Sequence, residues 1–176
     1  MPSKIIFLLL FLSCEYAGAQ NADSIYWSAG RKLKWENFKG KPDPGTRLLA
    51  MTQAGIGYEV ACDNGKLDFK VTCYFNVNDS WAKEKDSDQL LSHEQFHFDI
   101  TELYARKLRK KLSELSDPCG KNIKELNKIY EANFNECARE QDLYDKETNH
   151  SLDREKQKAW EEKIAKELKA LEKFTS

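Results

Sequence analysis

The chain has 176 residues, of which 32% are charged, and its formal net charge at pH 7 is −1. Charges of balanced sign at this density predict a solvated surface without the basic face that neutralises nucleic-acid phosphates. Composition therefore excludes a nucleic-acid partner, and the length fits a single domain.

The first 19 residues have the features of a secretory signal peptide. A lysine precedes an apolar run over residues 5–12, and Ala17-Gly18-Ala19 forms a cleavage site of the A-x-A type. We predict cleavage after Ala19, a single mature domain over residues 20–176, and a secreted or periplasmic location. No later segment approaches the roughly 20 apolar residues of a spanning helix, so no membrane association is expected after cleavage.

Residues 54–76 predict a β-hairpin. Asn64-Gly65 supplies the positive φ angles of a tight turn. If Asp63 pairs with Lys66, apolar residues alternate along one face and charged residues along the other, which is typical of a half-buried antiparallel pair. In this register Cys62 and Cys73 lie roughly 20 Å apart, too far for a disulfide, so each needs another partner.

Five cysteines are present, and Cys14 lies in the signal segment, where residues 11–14 form a poor site for lipid attachment. Four remain after cleavage: Cys62, Cys73, Cys119 and Cys137. An even number in an exported chain predicts disulfides, but four cysteines permit three pairings and the connectivity stays open. The lack of a CxxC spacing disfavours a cysteine-rich metal site.

Three long helices are predicted after the hairpin. Asp86 or Ser87 is a suitable N-cap for the first, which runs to about Leu115, and its basic run over residues 106–111 is expected to be solvated. The second covers about residues 122–146 and the third about 152–174. The apolar stripe of the second helix is predicted at Ile123, Asn127, Tyr130, Phe134 and Cys137.

Ahead of the hairpin, residues 27–44 are expected to form a short strand leading into a loop. The whole pattern predicts an α+β fold, in which a small antiparallel sheet packs on the first helix and two further long helices complete the domain.

Residues 93–97 read His-Glu-Gln-Phe-His, an HExxH motif inside the first predicted helix. Residues four apart on a helix share a face about 5–6 Å apart, which lets two imidazoles bind one zinc ion. His93 and His97 are therefore candidate ligands of one Zn2+ per chain, and Glu94 is the candidate general base. The alternative is an exposed helical pair of histidines without a metal.

A hydrolytic zinc site needs a third protein ligand and an open fourth position. Asp99 and Glu102 point away from the histidine face of the helix, and Glu136 falls off the apolar stripe of the second helix. His150, the last of three histidines, lies in a polar break between the second and third helices. It is the candidate third ligand.

The chain resembles a family of bacterial secreted zinc-dependent proteinases, long described as a domain of unknown function. The resemblance runs from about Trp35 to Trp160. Its segments are Leu33-Lys34-Trp35-Glu36-Asn37-Phe38-Lys39-Gly40, Asp79-Ser80-Trp81, Leu90-Leu91-Ser92-His93-Glu94-Gln95-Phe96-His97-Phe98-Asp99-Ile100, Leu103-Tyr104-Ala105-Arg106 and Tyr144-Asp145-Lys146-Glu147-Thr148-Asn149-His150.

The resemblance implies a zincin-like metallopeptidase in which His93 and His97 bind zinc, Glu94 is catalytic and His150 is the third ligand. The chain departs from the family pattern at Ser151, where a glycine is usual. That position affects the backbone conformation that orients His150.

The expected reaction is metal-assisted hydrolysis of a bond in a peptide or protein substrate, with Glu94 as general base. Tyr104 and Tyr144 are candidate donors to the developing oxyanion, and Asp145 is a candidate acceptor that orients a ligand imidazole. The hairpin offers an edge to which an extended peptide can add. Two alternatives stay open: a zinc hydrolase acting on another amide such as peptidoglycan, and a non-catalytic interaction module stabilised by the metal.

Overall fold

The computed structural model describes residues 23–115, 119 and 123–176, so the predicted signal segment 1–19 lies outside the described residues. The strands are β1 (Ser24–Tyr26), β2 (Ala50–Met51), β3 (Ala54–Asp63), β4 (Lys66–Asn76) and β5 (Trp81–Ala82). The α-helices are α1 (Asp88–Ser113), α2 (Ile123–Thr148) and α3 (Arg154–Ala170). Short 3-10 helices lie at Trp35–Asn37 and Glu172–Phe174. The predicted α+β class is confirmed.

The predicted hairpin is formed by β3 and β4, and its register is the predicted one. Asp63 pairs with Lys66 across Asn64 and Gly65, whose φ angles are 50° and 77°. The strand β1 pairs with the other side of β4, giving the order β1-β4-β3, and β2 pairs with β5 in a separate two-stranded sheet. These added strands have two or three residues, too few to show a periodic pattern in the sequence.

The region 27–44 differs from its prediction. The short strand of this part of the chain is β1, which ends at Tyr26, and residues 35–37 form a 3-10 helix instead. Phe38 then packs against Phe75 of β4, with ring centroids 5.1 Å apart, and Phe75 in turn lies 5.9 Å from Phe98 of α1. These fully or almost fully buried rings join the sheet to the helix that carries the HExxH motif.

The helix α1 begins where the sequence predicts. The side chain of Ser87 accepts a hydrogen bond from the backbone N–H of Leu90 at 3.1 Å, which caps the helix. Its basic run was predicted to be solvated, but Arg106 and Arg109 are buried. Both pair with the fully buried Glu102, at 2.9 and 3.0 Å. The end of α3 and the segment after it cover this face of α1, and the paired charges satisfy one another.

The buried face of α2 also differs from the predicted stripe. Phe134 is 52% exposed, whereas the neighbouring Asn133 is fully buried and donates from its amide to the backbone oxygen of Tyr104 at 3.0 Å. One residue along a helix changes the direction of a side chain by about 100°, so this contact with α1 turns Phe134 to solvent. Tyr130 packs inward, stacked on Tyr58 of β3 with centroids 5.2 Å apart.

One disulfide is present among the described residues, between Cys62 and Cys119, whose sequence separation is 57. It links the turn end of β3 to the segment between α1 and α2. Cys73 and Cys137 are buried free thiols. The expectation that Cys62 and Cys73 do not pair is confirmed, but only Cys62 has a disulfide partner. No helix among the described residues is long and apolar enough to cross a membrane.

Candidate metal centre

The two histidines of the HExxH motif converge at the start of α1. His93 and His97 are one helical turn apart, and their Nε2 atoms lie 3.2 Å from each other. His93 is almost completely buried, and the ring of His97 meets it edge to face with centroids 4.8 Å apart. The helix therefore places two ligand-type nitrogens at one point, as the spacing predicts.

Asp145 completes the group from the C-terminal part of α2. Its Oδ1 lies 3.0 Å from the Nε2 of His93 and 3.0 Å from the Nε2 of His97. Zinc with four tetrahedral ligands at about 2.0–2.2 Å places the ligand atoms roughly 3.3–3.6 Å apart. The three donors are close to that spacing, and they form a group that could hold a metal ion.

Two glutamine side chains fix the orientation of the imidazoles. The Oε1 of Gln141 lies 2.6 Å from His97 Nδ1, and the Oε1 of Gln157 lies 3.2 Å from His93 Nδ1. The amide nitrogen of Gln141 donates to the backbone oxygen of His97, and Tyr144 donates to the Oε1 of Gln157, which assigns both amide orientations. An amide oxygen only accepts, so each Nδ1 carries a proton and the Nε2 lone pairs face Asp145 in the neutral rings.

This arrangement fits a bound cation. Two Nε2 lone pairs and a carboxylate oxygen are all acceptors, and at 3.0–3.2 Å they repel one another unless a proton or a metal ion lies among them. The donor set of two imidazoles and one carboxylate is of the kind found in catalytic zinc sites. Metal-binding histidines usually donate their second ring N–H to an oxygen acceptor, and here the amide oxygens of Gln157 and Gln141 take that place.

The pKa values of His97 and Asp145 are shifted by the contact between these two side chains. Burial alone lowers the pKa of His97, but the hydrogen bond with Asp145 and the charge of Glu94 outweigh it, and the pKa is raised. Burial alone raises the pKa of Asp145, but its hydrogen bonds with His93 and His97 bring the pKa well below its usual value. The raised pKa of His97 and the lowered pKa of Asp145 therefore reflect one attraction, between the protonated imidazole and the carboxylate.

Tyr144 lies beneath the two imidazoles. It is fully buried, it stacks on His93 with ring centroids 4.6 Å apart, and it meets His97 edge to face at 5.1 Å. Its hydroxyl donates to Gln157 at 2.8 Å, and burial raises its pKa. Tyr144 therefore packs against both imidazoles, and it is not among the residues that line the cavity next to this centre.

Tyr104, the other candidate oxyanion donor, is also outside that lining. It is buried two turns after His97 along α1, and Lys107 lies over its ring at 4.3 Å.

The carboxylates that were predicted not to bind the metal have other partners. Asp99 accepts from Trp27 at 2.7 Å and from Gln95 at 2.8 Å, while Glu136 pairs with Lys111 at the surface.

Glu94 is positioned differently from the other acids of α1. It is only 3% exposed, it lines the cavity beside both histidines, and its Oε2 has no hydrogen-bond partner within the described part of the chain. Its backbone oxygen accepts from the hydroxyl of Thr52 at 3.1 Å, which ties α1 to the segment after β2. A buried carboxylate oxygen without a donor is available to accept a proton from a bound water molecule.

His150 lies at the edge of the centre. Its Nδ1 is 3.6 Å from the Oδ1 of Asp145, its side chain is 55% exposed, and it lines the same cavity. It is not in the group whose ligand atoms all lie within 4.8 Å of one another. The backbone runs through positive φ at Asn149 (48°), His150 (50°) and Ser151 (78°). The φ of Ser151 lies in the left-handed region, which glycine adopts more readily than any other residue.

The centre opens into a cavity of about 650 Å³. Residues 47–52, which include β2, and residues 149–152 line it together with the start of α1. Among the described residues, none of the hairpin lines this cavity. The strand next to the centre is therefore β2, and not the edge of the hairpin that the sequence predicted for peptide binding.

Sequence reasoning missed the roles of Gln141 and Gln157 and treated Asp145 only as an orienting residue. The sequence spacing could have indicated two of these residues, because Gln141 and Asp145 are four residues apart and so share one face of α2. That face contacts the HExxH motif only because α2 folds back along α1, which the sequence pattern does not state.

Fold and site thus define an α+β protein with a His-His-Asp group that could bind a metal. The family model described as "Bacterial protein of unknown function (DUF922)" matches residues 36–151, more than half of the chain. The chain belongs to this family. In the same comparisons, no curated protein and no solved structure matches the chain. The matched segment contains the hairpin, α1, α2 and the whole metal group.

Proposed function

We propose that this protein is an exported, zincin-like zinc metallopeptidase that hydrolyses peptide bonds. The observation that carries the proposal is the convergence of three acceptor atoms, from His93, His97 and Asp145, beside the unpartnered carboxylate of Glu94 in one open cavity. A zinc ion held by these donors would act as a Lewis acid and lower the pKa of a water molecule.

The roles of the residues follow from their positions. His93 and His97 would hold the metal, and their rings are oriented by the amide oxygens of Gln157 and Gln141. Asp145 is the third ligand that the distances favour, and His150 is the one that the sequence favours. Glu94 would act as the general base, taking a proton from the attacking water and passing it to the leaving amine.

A non-catalytic metal-stabilised module is the second candidate, and one observation favours it. The Nδ1 of His150 is 3.6 Å from Asp145, so a small movement of residues 149–151 would give four protein ligands. Such closed coordination is typical of structural zinc sites, whereas a catalytic site keeps a position open.

Export is also part of the proposal. The disulfide between Cys62 and Cys119 supports it, because such bonds persist mainly in oxidising compartments. Mass spectrometry of the protein from the periplasmic and culture fractions would test it: a chain starting at Gln20 is expected, and an uncleaved chain in the cytoplasm would contradict it.

Hydrolysis is tested with the zinc-loaded protein and a fluorophore-labelled unfolded protein as substrate. The wild type should release fragments, and Glu94→Gln should lose at least about a hundredfold in rate, the order expected for a general base. Both proteins must hold the same amount of zinc, which excludes loss of metal as the cause. Equal rates in the two proteins would contradict the role of Glu94, and no rate in either would favour the non-catalytic module.

A further inference from the structure

Three exposed leucines line the cavity next to the metal centre. Leu48, Leu49 and Leu152 are 37%, 47% and 71% exposed, and all three line the cavity. Other exposed large apolar side chains, Phe134 and Leu143, belong to α2 and are not in that lining. Exposed apolar side chains gathered at a concave site mark a binding surface, whereas single ones elsewhere are ordinary.

The apolar wall of the cavity is formed by residues 48–51 together with Leu90 and Leu152. Its other lining residues are polar and include the metal group and Glu94. A few convergent polar groups within an apolar lining are the usual composition of a site that orients a ligand by one functional group and binds its apolar part.

The strand β2 gives the wall a second feature. It has a single strand partner among the described residues, β5, with Ala50 opposite Ala82 and Met51 opposite Trp81. An extended peptide can add to a strand of this kind through backbone hydrogen bonds, which places alternate side chains of the peptide towards the same wall.

We propose that Leu48, Leu49 and Leu152 bind a bulky apolar side chain of an extended peptide, next to the amide that lies over the metal centre. The inference rests on the proposed peptidase function and names its substrate class: unfolded or extended protein segments with leucine-like or phenylalanine-like residues. Peptidoglycan cross-links, which carry small and carboxylate-bearing side chains, leave these leucines without a partner.

The test uses the purified zinc-loaded protein and internally quenched peptides. The peptides are identical except at one position, which carries Leu, Phe, Ala or Asp and is moved through the sequence. The variants are Leu152→Ser and the double change Leu48→Ser with Leu49→Ser. Leu143→Ser is the matched control, because Leu143 is a leucine of 41% exposure on α2 outside the cavity lining.

At the preferred position, the Leu and Phe peptides should have kcat/KM values at least about tenfold above the Asp peptide, the range for filling an apolar subsite. The cavity variants should lose about tenfold for the Leu and Phe peptides and little for the Ala peptide, and the control should match the wild type. Equal cleavage of all peptides, or unchanged preference in the cavity variants, would overturn the inference while leaving the peptidase proposal intact.

Binding is measured separately from hydrolysis. Calorimetric titration of zinc-loaded Glu94→Gln with the same peptides should give tighter binding of the Leu and Phe peptides, lost on adding the leucine changes. If this binding is found but the wild type cleaves nothing, the peptidase proposal fails and the apolar subsite stands. If the leucine changes instead abolish only self-association, or only binding to phosphatidylcholine vesicles, the inference is overturned.

Discussion

The ring of Tyr144 lies almost parallel to the imidazole of His93, with centroids 4.6 Å apart and planes 17° from each other. The same tyrosine donates its hydroxyl to Gln157, the residue that faces His93 Nδ1. One fully buried side chain of α2 therefore fixes both the plane of the histidine and the amide that selects its tautomer. Catalytic and metal groups need this kind of support to stay within a few tenths of an ångström of their working geometry.

Replacing Gln157 tests this support. Gln157→Leu removes the acceptor from His93 Nδ1, so the Nε2 lone pair is no longer directed to the centre, and zinc affinity should fall about 10- to 100-fold. Affinity is measured by competition with a chelator of known strength. Glu161→Gln leaves the Gln157 side chain in place and changes only the carboxylate that accepts from its amide at 3.3 Å, so it serves as the control, with affinity close to that of the wild type. Unchanged zinc affinity in Gln157→Leu would contradict the proposed role.

The identity of the third metal ligand is tested by measuring the zinc content of the wild type and of single variants after identical dialysis. Asp145→Asn should lose most of its zinc, because its Oδ1 is 3.0 Å from both histidine nitrogens, while His150→Ala should retain most of it. Asp142→Asn, an exposed acid one turn earlier in α2, is the control. Loss of zinc only in His150→Ala would make His150 the ligand and Asp145 an orienting acceptor. Loss in both would indicate a closed four-ligand site.

Ser151 provides a test of backbone strain at the centre. A non-glycine residue at a φ of 78° is strained by about 1–2 kcal/mol. Glycine removes this strain, but its more flexible unfolded chain lowers the free energy of unfolding by about 0.4–1 kcal/mol. Ser151→Gly should therefore raise the free energy of unfolding by roughly 0.5–1 kcal/mol, measured by urea denaturation of the metal-free protein.

Ser151→Ala separates the backbone effect from loss of the hydroxyl. It keeps the strained conformation, so it should not be stabilised. Equal stabilisation of the Gly and Ala variants would show that the side chain, and not the φ angle, is the cause.

The stability of the metal-free protein should depend on pH through His97 and Asp145. The raised pKa of His97 contributes stability that is complete below its ordinary value of 6.5 and is lost as pH rises through the folded value. The lowered pKa of Asp145 contributes stability that is present above 3.8 and is lost as pH falls through the folded value. The interaction of His97 with Asp145 therefore stabilises the metal-free fold most between pH 3.8 and pH 6.5, the ordinary pKa values of the two groups.

Zinc should reverse the upper part of this dependence, because the imidazoles must lose their protons to bind the metal. Melting temperatures with chelator should fall from about pH 6 to about pH 8, while the increase caused by added zinc should grow over the same range. Asp145→Asn should flatten the metal-free profile. A metal-free melting temperature that rises over this range would contradict the assignment.

The sequence by itself determined the parts of this protein that depend on neighbouring residues. The Asn64-Gly65 turn and the alternation around it predict the register of the hairpin, because side chains alternate strictly along a strand. Ser87 predicts the start of α1, because its hydroxyl caps a free backbone N–H. The convergence of His93 and His97 follows from the pitch of a helix.

The tertiary structure alone decided what meets these elements from elsewhere in the chain. The packing of α2 and α3 on α1 brings Asp145, Gln141 and Gln157 to the histidines, across sequence separations of 44 to 64 residues. The same packing buries Arg109 against Glu102 and turns Phe134 to solvent. A helical pattern shows which residues share a face, but the neighbour of that face is set by the fit of whole surfaces, which includes pairing every polar group that becomes buried.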